Sequence, residues 1–177
     1  MNPLHLGDSY DIVKKFFCWV LKEQGYDVFI DPMFTGKGKW DDTKRQLFYH
    51  FLDVRNVSDY KPGQTPTALL VDPDTGVWER EKNQQRTHVF FDTIADLCKC
   101  HRIVFVFDQS FARNRPRLDR IQGKLKAVAD QGCEALYYDS HACFLFASRS
   151  ASAKPIRHLR CHLVDLGLPK NRLVMLS

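Results

Sequence analysis

The sequence lacks the short signatures that announce a chemistry. It has no C-x-x-C pair, no G-x-S-x-G elbow, no Walker-type phosphate loop and no H-E-x-x-H. Zinc ribbons, thiol-redox motifs, hydrolase elbows, P-loop enzymes and zincins are excluded on that ground. The nuclease pattern of an acid followed by E-x-K is missing too, because in Glu79-Arg80-Glu81-Lys82 an arginine stands two residues before the lysine. No apolar run approaches the roughly 20 residues of a membrane-spanning helix. The opening MNPLHLGDSYDIVKK has no basic start followed by an apolar stretch, so it does not read as a secretory leader. The expectation is a cytoplasmic protein with no membrane partner. There is no internal repeat, low-complexity tract or linker.

What is present is ordinary for a folded domain. A chain of 177 residues, 44% apolar and 27% charged, is long enough to bury a core without disulfides or metals and is expected to form one domain over 1–177. The net charge of +5 is compatible with an anionic partner such as nucleic acid but does not require one. The cysteines are Cys18, Cys98, Cys100, Cys133, Cys143 and Cys161. Four of these six sit inside apolar periodic segments, where cysteine behaves as a small hydrophobe. Cys98-Lys99-Cys100-His101 is the one metal-like cluster, and no second ligand pair follows at a zinc-site spacing. The cysteines are expected to be reduced and structural.

The periodicities alternate. Asp8 or Ser9 caps a helix running to about Gln24, with Gly25 ending it; its apolar positions leave Asp11, Lys14, Lys15 and Lys22 for the surface. Tyr26 to Ile30 reads as a strand. Asp41 or Asp42 caps a helix to Leu52, and residues 55–66 read as loop. The continuous apolar runs TALLV (67–71) and RIVFVF (102–107) read as strands buried on both faces. Helices are expected over Phe90–Cys100, Arg117–Gln131 and Ile156–Leu166, and a short last strand over Arg172–Leu176. Glu134–Tyr138 and Ala142–Ala147 form a hairpin. This order predicts an α/β three-layer sandwich, a mostly parallel Rossmann-like sheet with a C-terminal antiparallel hairpin.

In open α/β sheets, ligands bind outside the carboxyl ends of the strands. Three expected strands end in acids there: Asp31, then Asp72 with Asp74, then Asp108. The hairpin turn adds Asp139 and His141. Asp and Pro also terminate strands for purely structural reasons, but three strands ending alike point to a functional rim, with Asp72, Asp74, Asp108 and His141 as candidate catalytic groups. On the first helix Asp11 lies beside both Asp8 and Lys14 at i, i+3 spacing. The basic run Arg113, Arg115 and Arg117 follows the Asp108 strand, and guanidinium groups suit phosphate; with Phe111 to stack on a base, it is the candidate nucleic-acid-binding segment. A solvated face explains that run equally well, and it is the favoured reading of the basic C-terminal helix.

Residues 31–38, DPMFTGKG, are similar to the D-P-F-x-G-x-G cofactor loop of Rossmann-type S-adenosylmethionine-dependent methyltransferases, with one extra residue. Asp72-Pro73-Asp74-Thr75 sits where amino-methyltransferases carry D-P-P-Y, with Thr75 in place of the aromatic that stacks on the target base. Gly7-Asp8-Ser9-Tyr10-Asp11-Ile12-Val13-Lys14 resembles the G-N-x-x-D-x-x-K-H opening of the J-type ribosomal RNA adenine methyltransferases. The chain also resembles uncharacterised bacterial proteins sharing G-D-x-x-D-x-x-K and D-P-D-N/T-G. The methyltransferase resemblance implies S-adenosylmethionine as cofactor, with Asp11, Lys14, Asp31, Gly36 and Gly38 framing its site, and a nucleic-acid substrate. Asp53 falls near the place of the family's ribose-binding acid, yet it reads as a helix end.

Two other classes stay open. Clustered carboxylates at strand ends suit Mg²⁺, which takes oxygen ligands, and two such ions can clamp a phosphodiester. Asp31, Asp72, Asp74 and Asp108 are the candidate ligands of such a nuclease or phosphohydrolase, with Lys14 or His141 to stabilise charge or move a proton. The third class is a non-enzymatic interaction protein that retains the fold with its chemistry changed or lost.

Overall fold

The computed structural model describes residues 5–34, 40–63, 65–78, 87–110, 116–149 and 154–176. The chain enters through helix α1 (Ser9–Glu23), capped by the Asp8 carboxylate, which accepts from the amides of Tyr10 and Asp11. Gly25, at φ +83°, turns the chain out of the helix, a conformation that favours glycine. Then follow β1 (Asp27–Asp31), α2 (Asp42–Leu52), β2 (Arg55–Asn56), β3 (Thr67–Val71), β4 (Gly76–Trp78), β5 (His88–Phe90), α3 (Phe91–Leu97), β6 (Ile103–Phe107), α4 (Arg117–Asp130), β7 (Cys133–Tyr138), β8 (Phe144–Arg149), α5 (Pro155–Asp165) and β9 (Leu173–Met175).

Seven strands form one sheet in the order β2-β1-β3-β6-β8-β7-β9. The first four are parallel; β8 runs against both β6 and β7, and β9 runs against β7. β3 and β6 lie in the middle, buried at every position, which is why TALLV and RIVFVF carry no polar alternation. Phe17, Leu21, Phe48, Leu52, Ile156 and Leu159 pack on one face with Ile30, Leu70 and Phe105. Ile94, Ile121, Leu125 and Val128 pack on the other with Leu69, Val71 and Val104. Helices α1, α2 and α5 therefore cover one face, and α3 and α4 the other, giving the expected three layers. Among the described residues no helix is long and apolar enough to cross a membrane.

Two regions depart from the sequence expectation. Residues 55–66 contain the edge strand β2 and a 3-10 turn at Val57–Asp59. β4 and β5 form a separate two-stranded parallel sheet. Both pairings are too short to leave a period in the sequence. The hairpin is present, and its second strand, β8, is the one that joins β6.

Candidate active-site rim

Because β1, β3 and β6 are parallel neighbours, Asp31, Asp72 and Asp108 stand at the same end of the sheet. The Asp72 amide donates to the Asp31 carbonyl at 2.9 Å, extending the ladder to the rim. β7 runs parallel to β6, so the turn carrying Asp139 and His141 reaches the same end. Strand order reverses at β1, with β2 on one side and β3 on the other. The crevice above β1 and β3 is thus the position where open α/β sheets place ligands.

The acids do not meet as one cluster. Side chains alternate between the two faces of a strand. Val71 pairs with Val106, which puts Asp72 beside Phe107 and Asp108 one residue further on. Asp72 turns toward α1 and Asp108 toward α4, with the sheet between them.

On the α1 face, Lys14 Nζ donates to Asp11 Oδ1 and Asp72 Oδ2, each at 2.9 Å. The Gly7 amide closes on the other Asp11 oxygen at 2.9 Å. The Phe107 ring lies 4.7 Å from Lys14 Nζ. All three charged residues are buried, at 2–3% exposure. This corrects the placement of Asp11 and Lys14 on the helix surface: they lie on its core side because each finds an opposite charge there. The triad holds two carboxylates and one ammonium, one negative charge in excess. Burial pushes the Asp72 carboxyl up, and the Lys14 charge only partly offsets it. Burial opposes the Lys14 charge, but Asp72 and Asp11 outweigh it and hold the ammonium above its ordinary range. Lys14 is therefore a fixed cation rather than a base.

On the α4 face, Asp108 is fully buried. Its Oδ1 accepts from the amides of Val77 (3.0 Å) and Ser110 (3.1 Å). Its Oδ2 accepts from Lys124 Nζ and, at 2.8 Å, from the Tyr137 hydroxyl. Ser110 Oγ lies 2.6 Å from both Asp108 Oδ1 and the Val77 carbonyl, and its single proton serves one of them. Burial lowers the Lys124 pKa against the pull of Asp108 and pushes the Tyr137 phenol up. A carboxylate with four or five donors has no lone pair left for substrate. Asp108 organises the core beneath the rim, so its assignment as a catalytic group lacks geometric support. Sequence reasoning missed Lys124 and Tyr137. The signal for Lys124 was its place among Ile121, Leu125 and Val128 on the buried face of α4.

The turn before β4 explains D-P-D-T-G. Gly76 has φ +120°, and a Cβ there would stand 2.2 Å from Asp108 Oδ1 and 2.8 Å from the Gln109 nitrogen. Only glycine lets the turn close on Asp108. Thr75, exposed, donates its hydroxyl to the Thr87 carbonyl at 2.5 Å and holds that turn. Asp74 is half-buried on it.

Of the remaining candidates, Asp31 is half-buried and its Oδ1 accepts from the Met33 amide at 3.1 Å. His141 is exposed, its ring 5.7 Å from that of Tyr10. Arg117 is committed internally: it donates to Asp139 Oδ1, to the Ser140 carbonyl at 2.8 Å and to Cys143 Sγ at 2.9 Å. Gly36, Gly38, Phe111, Arg113 and Arg115 lie outside the described residues. Asp53 is a left-handed helix cap at φ 55°, ion-paired with Lys22, with no place in the crevice.

Among the described residues no group of three or more His, Cys, Asp or Glu is placed to hold a metal ion. The four-acid set Asp31, Asp72, Asp74 and Asp108 is not gathered into one, because alternation sends Asp72 and Asp108 to opposite faces. All six cysteines are free: Cys18, Cys98, Cys133 and Cys143 are buried, whereas Cys100 and Cys161 are exposed. Burial pushes the Cys18 thiol up to about 12, which removes it as a nucleophile.

No protein family, no curated protein and no solved structure matches this chain.

Proposed function

We propose that the chain is a methyltransferase-like Rossmann-type domain that binds S-adenosylmethionine in the crevice above β1 and β3. The observation that carries this reading is the buried Asp11–Lys14–Asp72 triad at the point where strand order reverses. Its excess carboxylate charge, together with Asp31 at the next strand end, favours a cationic ligand. S-adenosylmethionine carries a sulfonium and an ammonium, and the sulfonium supplies an activated methyl group. Asp31 is the half-exposed acid placed to meet the ligand; Asp11 and Lys14 hold the floor of the crevice through Asp72. The motif resemblance over DPMFTGKG supports the same assignment. Methyl transfer to a nucleic-acid base has weaker support, since Thr75 holds a turn and Arg117 is spent on Asp139.

The Mg²⁺-dependent nuclease is the weaker alternative, because its four acids are divided by the sheet. Calorimetric titration of the purified chain with S-adenosylmethionine, then with Mg²⁺ and Mn²⁺, separates the two. The expected result is saturable heat with S-adenosylmethionine that Asp31→Ala abolishes while the circular dichroism spectrum is unchanged. Heat with Mg²⁺ alone, accompanied by cleavage of a phosphodiester, transfers the assignment to the nuclease. Silence with every ligand leaves the rim as a structural device.

A further inference from the structure

The opposite end of the sheet carries a second cleft, of about 760 Å³. It is formed where β1, β3 and β6 begin and where the antiparallel β8 ends. Arg102, Lys99 and Arg149 supply positive charge to its wall, and His101 and His158 add two imidazoles; no Asp or Glu is among the described residues that line it. His101 is buried and bonded to Thr67 Oγ1 through Nδ1 at 3.0 Å, with the Tyr60 ring packed 4.6 Å from its own. The Arg102 guanidinium makes no hydrogen bond or ion pair among the described residues, whereas Lys99 is paired with Asp96 at 2.5 Å. Ser148 lines the same cleft, is 1% exposed, and its Oγ has no hydrogen-bond partner among the described residues. Such an orphaned hydroxyl costs free energy unless a ligand or water satisfies it. α5 begins at the cleft with Pro155, and its first turn has no side-chain cap.

We propose that this cleft is a binding site for a phosphorylated small molecule. Guanidinium, imidazole and hydroxyl donors without a competing carboxylate match the oxygens of a phosphate group. A cleft of this size takes the body of a small metabolite as well as its phosphate. The site is independent of the methyltransferase-like reading, because it lies at the amino rather than the carboxyl ends of the parallel strands and shares no residue with the triad.

The test is titration of the full chain with inorganic pyrophosphate at low salt, with acetate at matched ionic strength as the control anion. Saturable binding of pyrophosphate but not acetate is expected. Arg102→Glu should weaken it by tenfold or more, since a charge-assisted hydrogen bond is lost and a repulsion gained. Ser148→Ala should weaken it several-fold with no loss of thermal stability, because the hydroxyl it removes has no partner among the described residues. That variant and His158→Ala keep the test decisive if Arg102→Glu does not fold. S-adenosylmethionine titrations of the same variants should be unchanged, so that failure at one end of the sheet is distinguished from failure at the other. Pyrophosphate that does not bind, or that binds all three variants as it binds the native chain, overturns the proposal.

Discussion

Lys14 shows how far one residue can determine a site. Its ammonium neutralises one of two carboxylates that would otherwise be buried bare, and the cost of exposing such charges to an apolar interior is several kcal/mol. Lys14→Met is expected to destabilise the fold by about 3–5 kcal/mol at pH 7, measured by urea denaturation. The sign of its pH dependence follows from Asp72. A buried carboxyl whose folded pKa is raised binds a proton more tightly folded than unfolded, so stability rises as pH falls through the raised value toward the ordinary 3.8. Without Lys14 that rise is larger. The variant should therefore recover part of its loss as the pH is lowered from 7 toward 3.8; a loss that deepens on acidification would contradict the charge balance described for the triad. Tyr137→Phe is the milder counterpart on the other face. It removes one of the donors to Asp108 and leaves the others in place, so a loss of about 1 kcal/mol is expected.

Among the elements, the turn into β4 has the narrowest tolerance. Gly76 combines a positive φ with a close approach to Asp108 and Gln109, and neither strain can be relieved by a side-chain rotation because two of the opposing atoms are backbone. Gly76→Ala is expected to cost about 2–4 kcal/mol, read as a drop in melting temperature, and to detach β4 from the end of β6. Gly25→Ala makes a useful comparison. It shares the positive φ but meets no atom within 4 Å, so its cost is limited to backbone strain of about 1 kcal/mol. The same logic explains why α1 and α2 start where they do: Asp8 and Asp41 accept amide hydrogens that the first helical turn leaves unpaired.

For the molecule as a whole, burial is concentrated in β3, β6 and β8, whose apolar side chains face helices on both sides. Local opening follows burial. Amide exchange is expected to be slowest for Leu69, Leu70, Val104 and Phe105 and fast for Arg55 and Asn56 on the exposed edge. Equal protection across the sheet would contradict this gradient. Among the described residues, the Asp11–Lys14–Asp72 triad at the carboxyl ends of the parallel strands carries one carboxylate in excess, and basic side chains line the cleft at the other end.

Much of this was present in the sequence by itself. Buried runs flanked by amphipathic helices determine the three-layer sandwich, since period and apolarity are local properties, and the cap residues and Gly25 mark where helices begin and end. Acids at three strand ends likewise placed the rim, because strand direction is shared by parallel neighbours. Only the tertiary structure decided what those acids do. The one-residue offset between Asp72 and Asp108 comes from the β3–β6 register, and register depends on how whole strands settle against both layers of helices. The burial of Lys14 and Lys124 was hidden for a related reason. A lysine on a helix reads as solvent-facing until a carboxylate from a distant strand, 58 positions away for Lys14, is brought within reach. The basic cleft draws on residues from 26 to 158, a juxtaposition that no local period encodes.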